Sequence, residues 1–580
     1  MKVKKRRIVS LLLVMCMLTT MLSACKKTDS NKTNSKETAQ TTNGDGGTEE
    51  NQAEAEPEET LDPITFTFYN ADGSKEDPWN DPVAEEITKQ TGVTIKMDFP
   101  VDGDDQRIPL MIASEEYPDL IFAKGDADAL ISAGALIDMT DLIDQYGPHI
   151  KALYGDEYGK LRYTSDDPSI YQLCSAGVGQ TSYTASGTAQ LQFAVLEANN
   201  YEIPKTLDQY EKMIKDYMAA NPQIDGQDTI GLTLSCSDWH WLITLANPSG
   251  FIANASPDNG QWIVDDANNY QATYKHAAPG QKEYFQWLNR MYLEGVLDKD
   301  FATQTHDDYI AKISTGRVLG LLDADWDYRD AETVLRADGK TERTYAGLPV
   351  TMNADQKCAS LMNQGLTVGW GIGITKACKD PVRAVKFLDW LCTDEAQVLI
   401  NWGIKDVHYF IDDEGHRYRT DEEIKKSQED ADYKYKTGIG IHNYPWPIHG
   451  DGVLDPTGSP YTTNSKEAVI NNYTDAQKKA TKAWGVDLLI DIFPQASEFE
   501  IPNYAPVYKQ NLTDEFNEYA TKLDEIAWTG LISCVMAKDG EFDTAWDKMQ
   551  KDFKDAGIDK ANALLTGLIQ KQVEFWSSDN

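Results

Sequence analysis

Cationic side chains are scarce in this chain: 54 Lys and Arg stand against 93 Asp and Glu, a formal net charge of -39 over 580 residues. A surface so acidic repels phosphate backbones, so nucleic acid is excluded as a partner. It also favours solubility and stands the protein off an anionic membrane. Histidine is scarcer still, with eight in all, and none falls into His-Glu-x-x-His or another clustered ligand spacing, so no metal site is expected. No Gly-x-Ser-x-Gly elbow and no P-loop occur, and Gly369, Gly371 and Gly373 alternate without completing Gly-x-Gly-x-x-Gly. Nucleophilic catalysis and nucleotide binding therefore find no support, no catalytic residue is assigned and no cofactor is implied. With 93 carboxylates some pair must lie close together, which gives glycosidase chemistry no support. Cysteines number eight, without a Cys-x-x-Cys pair. Beyond Cys16 and Cys25, the other six (Cys174, Cys236, Cys358, Cys378, Cys392 and Cys534) are far apart. Disulfides among them and buried free thiols both fit, and no pairing is assigned.

Long apolar runs are also missing, apart from one near the start. Residues 8–18 are almost purely apolar, behind a basic cluster of Lys2, Lys4, Lys5, Arg6 and Arg7. The run is shorter than the roughly 20 residues a spanning helix needs. A basic n-region, a short apolar core and small residues before a cut site describe a secretory signal peptide over 1–24. Its end, Leu22-Ser23-Ala24-Cys25, resembles a bacterial lipobox, which implies that Cys25 carries lipid and becomes the first mature residue. An ordinary signal peptide with an incidental cysteine is the alternative. Removal of the leader, with its three Lys and two Arg, leaves a mature chain near -44. A multi-chain lipid anchor would hold it on the outer face of the cell membrane, each buried methylene adding about 0.8 kcal/mol. Residues 26–60 are polar with almost no large apolar side chain, a composition that cannot offset its own ordering entropy. As a flexible tether they would span about 30–35 Å r.m.s..

Regular structure is predicted from Ile64-Thr65-Phe66-Thr67-Phe68-Tyr69, an alternating strand. A helix follows around 83–88, then the strand Val93-Thr94-Ile95-Lys96-Met97, a helix around 108–113, and the apolar strand of Pro118-Asp119-Leu120-Ile121-Phe122. Strand and helix in alternation open a parallel α/β layer. Thr206-Leu207-Asp208-Gln209 has capping-box spacing. Further helices are marked by Tyr284, Phe285, Leu288, Met291 and Tyr292 with Gly295 as the stop, and by Asp380-Pro381 as a start. Two more at the C-terminus carry Trp546, Met549 and Phe553, then Leu565, Ile569, Val573 and Trp576. Residues 412–432, dense in charges of both signs, read as a solvated excursion.

Five strings, in order, resemble family 1 extracellular solute-binding proteins. They are Glu115-Glu116-Tyr117-Pro118-Asp119-Leu120, Ile203-Pro204-Lys205-Thr206-Leu207-Asp208-Gln209-Tyr210, and Tyr292-Leu293-Glu294-Gly295-Val296-Leu297-Asp298. Ser314-Thr315-Gly316-Arg317-Val318 and the segment from Gly371-Ile372-Gly373-Ile374-Thr375-Lys376 through Asp389 complete the set. The likeness runs from about 62 to 410 and is confined to general layout beyond. One departure lies at Gly403-Ile404-Lys405-Asp406-Val407-His408-Tyr409, where Lys405 and Asp406 replace the Glu and Gly usual in the large lipoprotein branch. The resemblance implies an α/β, two-lobed periplasmic-binding-protein-like fold with an interlobe ligand cleft. Lobe I would take 61–176 and 358–401, and lobe II 177–357 and 402–580. It implies a monomer that binds a carbohydrate, most often an oligosaccharide, and hands it to the permease subunits of an ABC importer without catalysis. A non-sugar solute such as a peptide, or an exported carbohydrate-active enzyme, are the competing readings.

Sugars are held by aromatic faces against C–H patches and by planar polar groups. Candidate contacts follow from setting. Ser237-Asp238-Trp239-His240-Trp241 puts Trp239 and Trp241 in a polar loop. Asp325 and Trp326 follow the predicted strand 318–322, at the carboxyl end where α/β sites form. Tyr183 near the first crossing, Trp79, Trp370 and Trp446 of Asn443-Tyr444-Pro445-Trp446-Pro447 complete the set. Asp323, Asp325 and Asp327 imitate the start of an EF-hand, but Tyr328 replaces the required Gly and Val334 the bidentate Glu. A solvated or sugar-bonding acidic loop is expected there.

Overall fold

The computed structural model describes residues 62–73, 79–100, 106–185, 187–430 and 432–578. The expected leader, the tether and Cys25 lie outside the described residues. Nine strands build two sheets: β1 (Ile64–Asn70), β2 (Val93–Asp98), β3 (Leu120–Phe122), β4 (Leu173–Cys174), β5 (Thr188–Gln192), β6 (Ile230–Leu232), β7 (Val318–Asp323), β8 (Tyr345–Leu348) and β9 (Gly371–Ile374). The first sheet runs β2-β1-β3-β9-β4, with β1 parallel to β2 and β3, and β9 antiparallel to its neighbours. The second runs β8-β5-β7-β6, with β5 antiparallel to β8 and β7, and β6 parallel to β7. In β1 the alternation is realised as Thr65 and Thr67 exposed, Phe66 and Phe68 buried.

The helices form where the sequence signals them. In α1 (Pro82–Thr91) the Asp81 side chain accepts from the Ala84 N–H, Pro82 opens the first turn and Gly92 ends it left-handed. The reciprocal capping box of Thr206 and Gln209 starts α2 (Leu207–Ala220). The apolar faces of α3 (Gln281–Leu293), α6 (Pro381–Leu391), α9 (Phe542–Ala556) and α10 (Ile558–Ser578) are buried as the periodicity requires. Between these lie α4 (His306–Ser314), α5 (Asp325–Ala337), α7 (Asp394–Trp402) and α8 (Asp514–Val535).

Two large hydrophobic cores result, one per sheet. The first joins Phe66, Phe68, Val83, Leu120, Ile372 and Phe387. The second joins Leu191, Tyr210, Phe285, Leu288, Leu322 and Phe553. The stretch after Trp402, expected in lobe II, first returns to the lobe I core through Tyr433, Ile439 and Trp446. The last helix belongs to both: Leu565, Ile569 and Val573 enter the second core and Trp576 the first.

Two crossings between the lobes are paired with each other. Val178 N–H donates to Ile448 C=O at 3.0 Å, Gly450 N–H to Val178 C=O at 2.8 Å and Thr181 N–H to Asp451 C=O at 2.8 Å. A side chain at Gly450 would meet Gln180 Cα at 2.4 Å, so only glycine lets these backbones approach. The six cysteines in the described residues are all buried and free. None of the described helices is long and apolar enough to cross a membrane.

Candidate functional site

The C-terminal end of β7 hands directly to α5, and the turn presents Trp326 with 47% of its surface exposed. The loop after β6 presents Trp239, 51% exposed. The two indoles lie nearly parallel, centroids 6.2 Å apart and planes at 11°. Behind Trp239 the rings continue inward: His240 at 3.9 Å, His306 a further 3.8 Å on at 4°, and Tyr309 at 5.8 Å. Five rings thus form a ladder from open surface into lobe II. Exposed, near-parallel indoles offer faces on which a sugar's C–H patch can stack, and buried rings behind Trp239 hold the platform in place.

Charge surrounds the ladder's inner end. Asp238 Oδ1 is 2.6 Å from His240 Nδ1, and the hydrogen bonds from His240 hold this carboxyl below the usual range although burial works against them. Asp327 Oδ1 lies 3.6 Å from His240 Nε2 and 3.4 Å from His306 Nε2. Burial raises the Asp327 carboxyl and lowers the His306 imidazole. Tyr309 OH donates to Asp323 Oδ2 at 2.5 Å, and burial together with the Asp327 charge pushes Asp323 far up. The Asp323, Asp325, Asp327 run is therefore no single loop. Asp323 ends a strand and is buried, Asp325 pairs loosely with Arg329 on the helix surface, and Asp327 turns inward.

Asp325 also borders a cavity of about 450 Å³ together with Tyr183, Arg329, Asn464 and Tyr473. On lobe I, Trp370 is half-buried between Lys509 Nζ at 5.0 Å and Lys124 Nζ at 5.8 Å, and its Nε1 is buried without a hydrogen-bond partner among the described residues. Lys124 pairs with Asp72 at 2.5 Å, and Tyr444 OH donates to the same carboxylate at 2.9 Å. Asp258 adds its charge to the surroundings of Tyr508 and Lys509, both of whose titrations are governed first by burial.

Three of the expected contacts are packed instead in cores. Trp446 is 1% exposed, 5.1 Å from Phe68 and 5.7 Å from Phe387. Trp241 is buried parallel to Trp528 at 6.0 Å, because the helical turn after Asp238 points it away from Trp239. Trp79 is buried edge-on to His442 at 4.7 Å and donates from Nε1 to Thr88 Oγ1 at 2.9 Å. Trp326, Trp239, Asp325, Tyr183 and Trp370 keep accessible surface. His306 and Tyr309 were not among the expected contacts, and Asp327 entered only as part of the acidic run; no local signal points to the cluster, because His240 and His306 are brought together only by the tertiary fold.

Two lobes joined by paired crossings, with an aromatic platform at a strand's carboxyl end, define a solute-binding protein of the two-lobed type. The bacterial extracellular solute-binding protein family matches residues 83–402, more than half of the chain, and the chain belongs to that family. It is 23% identical over 527 residues to the fructooligosaccharide ABC transporter substrate-binding protein FusA of Streptococcus pneumoniae serotype 4, covering 85% of this chain and 88% of that one. It is 22% identical over 345 residues to the lipoprotein LipO of Bacillus subtilis strain 168, covering 57% and 64%. Among solved structures, the alginate-binding protein AlgQ2 without calcium ion superposes with a TM-score of 0.63 at 18% identity, covering 88% of this chain and 98% of that one. The two-lobed α/β architecture is thereby shown.

Proposed function

We propose that this protein captures an oligosaccharide outside the cell and delivers it to an ABC importer, releasing it chemically unchanged. The observation that carries the reading is the exposed, near-parallel pair Trp239 and Trp326 on lobe II. Trp370, between two lysines, offers a further aromatic group on lobe I, and Asp325 and Tyr183 offer polar contacts at the rim of one cavity. The family, and a relative named for fructooligosaccharide transport, support the same reading. A lipid on Cys25 would keep a monomeric protein at the outer face of the membrane, and the likeness to a lipoprotein supports that placement.

The test is thermal unfolding of the purified protein against a panel of oligosaccharides that includes fructooligosaccharides. A ligand present at a hundred times its dissociation constant adds about 2.7 kcal/mol of stability. A shift with one glycan class, the glycan being recovered whole and the shift lost in Trp326→Ala, supports the reading. Stabilisation by a peptide and by no sugar would move it to a non-sugar solute. Cleavage of the glycan would replace binding with catalysis.

A further inference from the structure

Beneath the aromatic platform lies a cluster whose donors suit an ion. His240, His306 and Asp327 come from three separate elements, the loop after β6, the first turn of α4 and the first turn of α5. One donor atom from each lies within 4.8 Å of the other two. We propose that His240 Nε2, His306 Nε2 and Asp327 form a binding site for a divalent transition ion of the zinc class, set directly beneath the aromatic platform.

The spacing carries the inference. Zinc bonds of about 2.0–2.1 Å to imidazole and carboxylate in a tetrahedron give ligand–ligand edges of roughly 3.3–3.4 Å. The two nitrogen-to-oxygen edges here are 3.4 and 3.6 Å. The donor set, two imidazoles and one carboxylate, is the type that selects zinc and its neighbours over calcium or magnesium. Asp238 holds His240 Nδ1 at 2.6 Å, which turns the Nε2 lone pair toward the cluster, as the outer-shell carboxylate of a metal-bound histidine does. Asp327 is 8% exposed, and its carboxylate is shared between the two imidazoles and the Asp323 carboxyl, which donates a hydrogen bond to it and leaves Oδ1 to face both Nε2 atoms. The two imidazoles are stacked at 4°, so the His306 ring, whose Nδ1 has no hydrogen-bond partner among the described residues, must turn about its Cβ–Cγ bond for both lone pairs to converge on one ion. Through His240, which stacks on Trp239 at 3.9 Å, ion binding would reach the platform. Three protein ligands leave a fourth position for water.

A second grouping of metal donors among the described residues, Asp412, Glu414 and His416, is a largely exposed hairpin turn and provides the control. The chelator-treated protein is titrated calorimetrically with Zn²⁺ alone. One ion per chain is expected, with affinity falling at least tenfold in His306→Ala and in Asp327→Asn and unchanged in His416→Ala. Melting curves of each variant establish that it is folded. In the unmodified protein, Co²⁺ should give the strong visible d–d absorption of a four-coordinate site, together with a change in tryptophan fluorescence. Binding lost in His416→Ala but kept in His306→Ala would overturn the proposal. So would the absence of both a Zn²⁺ isotherm and a four-coordinate Co²⁺ spectrum.

Discussion

At the scale of single residues, the tryptophans divide by what surrounds them. Trp239 and Trp326 have half their surface in solvent, whereas Trp446 is enclosed between Phe68 and Phe387. Alanine at Trp326 or Trp239 should weaken oligosaccharide binding roughly tenfold or more while leaving the melting temperature nearly unchanged. Trp446→Ala should instead cost about 3–5 kcal/mol of stability, read by denaturant unfolding. Lys275 makes a different prediction. It is buried, donating to Gly260 C=O at 2.7 Å and Asn247 Oδ1 at 3.3 Å, and burial pushes its amine down to about 8 despite the opposing charges of Asp258 and Asp524. Between that value and 10.5 the unfolded chain binds the proton that the folded one has released, so stability rises with pH across this window. The gain should be about 3 kcal/mol over the whole window and absent in Lys275→Met, compared by urea unfolding at pH 8 and pH 10.5. Residue type alone marked the tryptophans as candidates. It could not separate Trp239 from Trp241, which differ by two positions and by which side of one turn they occupy.

Elements were the most legible scale. The capping box at Thr206, the Asp380-Pro381 start and the apolar faces of the last helices are local signals, and local hydrogen bonding and periodicity decide them. The crossings were not legible, because backbone pairing between residues 178–181 and 448–451 leaves no pattern in either segment. Gly450→Ala should force those backbones apart, costing about 1–3 kcal/mol and loosening the joint, measured as faster amide exchange at Val178 and Thr181. The departure at Lys405-Asp406 also has a backbone meaning. Asp406 holds φ +61°, a left-handed conformation that glycine adopts without strain and that aspartate tolerates. Asp406→Gly should therefore be neutral to stabilising, by up to about 1 kcal/mol in thermal unfolding. The charged stretch read as a solvated excursion does contain a hairpin and a surface helix, yet Tyr433 closes it onto the first core through a 2.5 Å hydrogen bond to Glu423.

Across the whole molecule, closing of two lobes is a shift between arrangements that ligand favours differently. The radius of gyration from small-angle scattering should fall when the cognate glycan saturates the protein, and should not fall with a non-binding sugar. The α10 helix would restrain such a movement, since it packs Leu565, Ile569 and Val573 in one core and Trp576 in the other. This bridging was beyond sequence reasoning. The periodicity of 565, 569, 573 and 576 shows one apolar face, but nothing in it says that the last residue of that face serves a different lobe.

The placement of both exposed indoles on lobe II also has a kinetic meaning. Under the proposed reading a glycan stacks first on Trp239 and Trp326, a surface complete before the lobes close, and Trp370 and its lysines would join only afterwards. Capture then becomes two events in time, a fast docking and a slower latching. The observed rate should climb with sugar concentration and level off at the latching rate. Substitutions on lobe I would lengthen or shorten the residence of the sugar with little effect on how often it arrives. The importer, by prising lobe I away, would meet a cargo held by one face alone.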